Sequence, residues 1–104
     1  MAQTPINVVA TFKAKQGMES RVREALERAV APTLSEDTNR GYLLHQGIQD
    51  PAIFVLYEGW TSAEALDEHL KKPHLQQLVK DLDGTLDHPF EVTTLRQIAG
   101  EAPS

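Results

Sequence analysis

The sequence predicts an α+β domain of the ferredoxin-like kind, ordered strand, helix, strand, strand, helix, strand. Three observations predict it. Ile6 to Ala14 alternates, with Val8, Ala10 and Phe12 on one side and Asn7, Thr11 and Lys13 on the other, which is the period of a half-buried strand. Met18, Val22, Ala25, Leu26, Ala29 and Val30 then recur at helical spacing. Two more strand-like runs, 41–48 and 52–60, flank Gln49-Asp50-Pro51, which reads as a tight hairpin loop.

The remaining elements follow from local chemistry. Gln16-Gly17 turns the first strand into the first helix, and Pro32, which has no N–H to donate, should kink or end that helix near Ala31. Glu19–Arg23 and Glu24–Arg28 are spaced to pair along its outer face. Ser35 to Arg40 reads as a polar connection. Thr61 to Glu64 fits a capping box opening the second helix. Pro73 breaks that helix and restarts it, because Leu75, Leu78, Val79 and Leu82 resume the period. Asp83-Gly84 ends the segment, and Phe90 to Ile98 forms the last strand. One domain over 1–104 is expected, with a core of about 6–98 and polar tails.

Composition narrows the function classes. A net charge of −5 with interleaved basic residues argues against nucleic acid and anionic membrane surfaces as partners. The absence of cysteine excludes disulfides, thiolate nucleophiles and Cys-based metal sites. No signal peptide and no membrane-length apolar run is visible, so a cytoplasmic location is expected. The third strand is apolar on both faces: Phe54, Leu56 and Trp60 point one way, Ile53, Val55 and Tyr57 the other. Two helical regions cover only one face of such a sheet, so a second copy is expected on the other.

Candidate site residues cluster in one stretch. Glu58 and Trp60 lie two apart on a strand and share a face, and His69 and His74 follow on helical segments that can lean over it. Trp60 is either a core aromatic or the floor of a cavity. Glu58, among apolar neighbours, is either paired, with Arg96 as one partner, or a base with a raised pKa. The helix C-terminus favours cationic His69, and a helix start favours neutral His74, so the two suit divided acid and base roles. Each histidine alternatively just bonds a nearby carbonyl or carboxylate. His45 shares a strand face with Leu43, and His88 reads as a solvated loop residue. No metal is expected: a proline interrupts the five-residue spacing of the two histidines, and no acid completes an obvious set. No glycine-rich phosphate cradle is present, so a Rossmann-type cofactor is excluded.

The chain resembles the antibiotic biosynthesis monooxygenase family. The features that carry this are Glu58-Gly-Trp60, then Leu66 three residues before His69, then His74. Val8 to Lys13 before Gly17, Tyr42-Leu-Leu-His45 and Phe54-Val-Leu-Tyr57 fall in register with it, over residues 6 to 98. The resemblance implies a dimeric α+β barrel. It also implies oxidation of a hydroquinone or polycyclic phenol by molecular oxygen with no cofactor. Glu58, His69 and His74 would then be catalytic, while Trp60, Tyr42, Tyr57 and Arg96 would contact an aromatic substrate. A haem-degrading branch is disfavoured, because its strand asparagine falls at Ala10 while Asn7 faces the other way. An isomerase branch acting on small phosphorylated signals would want basic residues, for which Lys71, Lys72 and Arg96 are the candidates. A non-enzymatic binding dimer also stays open. The chain departs from the family in having Asp37-Thr38-Asn39 where Pro-Gly-Cys is common, and Leu75 where Phe often follows the second histidine.

Overall fold

The computed structural model describes residues 3–101; the outermost residues of both tails, 1–2 and 102–104, lie outside the described residues. Seven elements follow in order: β1 Ile6–Lys13, α1 Glu19–Leu34, β2 Asn39–Gln46, β3 Ile53–Trp60, α2 Ala63–Leu70, α3 Pro73–Leu82 and β4 Glu91–Leu95. The strands make one antiparallel sheet in the order β2-β3-β1-β4, the ferredoxin-like arrangement the sequence predicts. Across the centre, Val8 pairs with Glu58 and Glu58 with Tyr42; one step along, Ala10 pairs with Leu56 and Leu56 with Leu44. These rows face the helices, which bury Val22, Ala25, Leu26, Leu78 and Leu82 against them.

Local boundaries differ from the sequence expectation where a neighbouring group supplies what the chain lacks. Pro32 neither ends nor breaks α1, which runs to Leu34. Its missing donor falls in the last turn, where Ser35 bonds back to the Ala31 carbonyl through both N–H and hydroxyl. Ser62, not Thr61, caps α2, its hydroxyl accepting from Ala65 N at 3.1 Å. β2 starts two residues early because Asn39 bonds the Gly41 and Gly59 carbonyls across an irregular register. On α1, Arg23 pairs with Glu27 and Arg28 reaches Asp81 on α3, in place of the pairs expected from spacing.

The helices cover the sheet unevenly. All five residues of β4 are exposed, although Val92 pairs with the buried Ala10 on the helix-facing side. Among the described residues, no element covers the opposite face of the sheet. Val9, Ile53 and Val55 are half-buried there, and Leu43 and Tyr57 are 56% and 44% exposed. That apolar surface matches the two-faced pattern of the third strand.

Candidate active site

Glu58 is placed by strand alternation among Phe54, Leu56 and Trp60, on the helix-facing side of β3. It is 6% exposed, and its Oε1 accepts a hydrogen bond from Trp60 Nε1 at 3.0 Å. Burial pushes its carboxyl up to about 7; the Trp60 bond opposes the shift and the charge of Glu36 adds to it. Of the two sequence alternatives, pairing and a raised pKa, both hold, but the partner is Trp60. Tyr42, the cross-strand neighbour, is buried as well. Burial first and the Glu58 charge second hold its phenol well above the ordinary value, so it stays a neutral donor.

Both histidines converge on one carboxylate oxygen. His69 Nδ1 lies 2.6 Å and His74 Nε2 2.9 Å from Glu36 Oε2. Glu36 belongs to the connection after α1, while the histidines come from α2 and α3. The lysine-proline step between those helices lets α3 restart at Pro73 and turns His74 toward the same oxygen as His69. An ionised carboxylate only accepts, so it holds the His69 proton on Nδ1 and leaves Nε2 with a free lone pair. The ring packs on Trp60 at a centroid distance of 4.3 Å and edge-on to Tyr42 at 6.0 Å. Burial lowers the His69 pKa below its usual value, against the bond and charge of Glu36. The helix C-terminus therefore does not make this histidine cationic as the sequence suggested; desolvation outweighs it.

His69, Glu58 and Tyr42 border a cavity of about 610 Å³ between the sheet and the α2–α3 layer. Its walls are otherwise mainly apolar, from Val8 and Ala10 on the sheet to Leu66 and Leu78 on the helices, and Lys80 is the one lysine or arginine in its lining. Phe12 and Phe90, which both line it, stack at 5.1 Å. Leu70, Val79, Phe90 and Val92 line the same space yet stay partly exposed, so the mouth itself is hydrophobic.

The sequence candidates thus separate into groups. Glu58, His69 and Tyr42 share the cavity. Trp60 is fully buried behind it, joining Glu58 to His69, and so is both core aromatic and supporting wall. His74 faces Glu36 and is absent from the cavity lining. Tyr57 lies on the uncovered sheet face. Arg96 borders a separate surface depression with Ile6 and Thr94, so it does not pair with Glu58. His45 is exposed, and His88 bonds the Pro89 carbonyl. Glu36 is the residue that sequence reasoning missed. The statement that no acid completes the histidine pair is corrected by it, since a carboxylate more than thirty residues upstream folds onto both rings.

The buried Glu58 makes stability pH-dependent with a definite sign. A carboxyl whose folded pKa is raised stabilises fully below its unfolded value near 4.5 and loses that contribution as pH climbs through about 7. Replacing Glu58 with Gln should therefore leave stability near pH 4.5 little changed. The variant should gain over the wild type up to pH 8, by a difference on the order of 3 kcal/mol. Urea unfolding followed by the fluorescence of the sole tryptophan measures this, and a pH-independent difference would contradict the burial of an ionisable carboxyl.

The sequence profile of the family described as antibiotic biosynthesis monooxygenase matches residues 5–81. The chain is 34% identical over 92 residues to the Mycobacterium tuberculosis protein named "Putative monooxygenase Rv0793", covering 88% of this chain and 90% of that one. The solved structure of Rv0793 superposes with a TM-score of 0.89 at 30% identity, over 95% of this chain and all of that one. PA3566 from Pseudomonas aeruginosa superposes with a TM-score of 0.88 at 26% identity, over 95% and 99% of the two chains. With the profile spanning most of the sequence and these relatives matching nearly end to end, this chain belongs to the antibiotic biosynthesis monooxygenase family.

Proposed function

We propose that this protein is a monooxygenase that oxidises a hydroquinone or polycyclic phenol with molecular oxygen and needs no cofactor. The observation that carries the reading is the Glu36–His69 pair beside an apolar cavity: a base oriented by a carboxylate, next to Glu58 and Tyr42. Rv0793 carries a monooxygenase name, which supports the reaction class.

The steps ask little of the protein. His69 Nε2 takes a phenolic proton, and Glu36 stabilises the imidazolium that forms. The phenolate is electron-rich enough to pass an electron to oxygen, and the dry cavity keeps superoxide and the substrate radical together. They combine into a ring hydroperoxide, whose O–O bond breaks with loss of water to leave a hydroxyquinone. For a hydroquinone the balance is one substrate plus one oxygen giving one hydroxyquinone plus one water, with all electrons supplied by the substrate. Glu58, with a pKa about 7, is suited to protonate the departing oxygen. Tyr42 donates to a substrate oxygen, and Trp60 holds Glu58 in place. His74 acts on Glu36 from the far side. The lining speaks against the isomerase branch, because a phosphorylated ligand would find only Lys80 there.

We further propose a homodimer through the uncovered sheet face, where Val55 and the exposed Leu43 and Tyr57 form an apolar surface that a second copy would cover. Sedimentation should show a dimer at micromolar concentration, and Val55→Lys should give a folded monomer. A wild-type monomer under those conditions would contradict the interface.

For the reaction, oxygen uptake by metal-free protein should exceed the uncatalysed rate with at least one member of a panel of hydroquinones, anthrones and naphthols. His69→Gln should slow it by about 10²–10⁴-fold. Glu36→Gln should cost less, because the base itself remains while its orientation and the stabilisation of its imidazolium are weakened. No uptake with any substrate, or equal turnover in His69→Gln, would overturn the assignment.

A further inference from the structure

The geometry points to a binding site for a first-row divalent transition metal formed by Glu36, His69 and His74, whose occupation would silence His69 as a base. The donor atoms of these three side chains all lie within 4.8 Å of one another. Two imidazole nitrogens and one carboxylate oxygen suit zinc, iron(II) and cobalt(II), and three protein ligands leave coordination positions open. Donors around a tetrahedral ion at zinc distances sit about 3.3 Å apart. The present separations of 2.6 and 2.9 Å from Glu36 Oε2 would open slightly around an ion, and the two ring nitrogens lie within 4.8 Å of each other.

Of the three ligands, Glu36 also borders a surface depression that is separate from the cavity. That depression, of about 430 Å³, is lined by Glu36, Asp37, Glu64, Glu68 and Lys72, so carboxylates outnumber the single lysine. Such an acidic surface raises the local concentration of cations. The ligands are otherwise shielded, since the side chains of Glu36, His69 and His74 are 8%, 2% and 21% exposed. An ion that enters is thus held in a largely desolvated pocket.

Metal and base compete for one ring. Coordination through His69 Nδ1 requires the proton on that nitrogen to leave, and it reappears on Nε2. With Nε2 protonated, His69 can donate toward the cavity and can no longer accept. The site would therefore make turnover sensitive to divalent transition ions. This consequence rests on the proposed role of His69, whereas the binding site does not.

Cobalt(II) provides the test. Chelator-treated protein titrated with cobalt(II) should develop visible ligand-field absorption that saturates at one ion per chain, and zinc(II) should displace it. Glu36→Gln and His74→Gln should each weaken binding by at least about tenfold, since changing even a residue that merely supports a ligand costs about that much. His45→Gln and His88→Gln should leave it unchanged. Absence of the band in wild-type protein, or equal affinity in Glu36→Gln and His74→Gln, would overturn the site. Should Glu36→Gln not fold, as judged by circular dichroism, His74→Gln decides alone, because its side chain is partly exposed. Oxygen uptake is read separately. Equimolar zinc should abolish it in the wild type but not in His74→Gln, whereas binding without inhibition would keep the site and reject His69 as the base.

Discussion

The shared acceptor at Glu36 is the interaction on which the site depends. One carboxylate oxygen receives two imidazoles and so ties the connection after α1 to both α2 and α3 across the break at Pro73. His69 is 1% exposed, and a buried N–H without a partner costs about 1–3 kcal/mol. The bond therefore sets which nitrogen carries the proton as well as where the ring sits. Everything proposed for the ring, as base toward the cavity or as ligand toward Glu36, follows from that choice.

A second constraint is the alternation of the sheet. It puts Val8, Glu58 and Tyr42 in one cross-strand row beneath the helices, so a carboxyl and a phenol are desolvated together. Their environment raises both pKa values, which keeps the phenol neutral and brings the carboxyl close to neutral pH. The helices do not extend over β4, and the uncovered strip beside Val92 opens the cavity to solvent through an apolar mouth. The same alternation sends Val55 and Tyr57 to the opposite face, where no described element covers them. Pocket and expected interface are thus two outcomes of one pattern.

Periodicity made the order of elements, the two faces of β3 and the break at Pro73 legible in the sequence, because each is written into spacings of a few residues. The convergence of Glu58, Trp60 and His69 was legible for the same reason. Glu36 was not, since a glutamate in a polar connection looks solvated until α2 and α3 fold over it. Arg96 lies away from the cavity, and so does Tyr57, which the resemblance implied as a substrate contact although strand alternation in the sequence already set it on the far face. The direction of Arg96 depends on where β4 ends. Spacing likewise favoured Thr61 as the cap of α2, but the backbone geometry presents Ser62 to Ala65 N. The charge state suggested by the helix terminus failed at His69 because burial, invisible to local sequence, is the larger effect there.

The central claim is that Glu36 holds His69 as the Nδ1–H tautomer, with Nε2 free to accept a proton. Imidazole nitrogen NMR of metal-free protein at neutral pH reads this directly. The account predicts a neutral His69 with Nδ1 protonated in the wild type and a loss of that preference in Glu36→Gln. A wild-type His69 protonated on Nε2, or the same tautomer ratio in the variant, would contradict it.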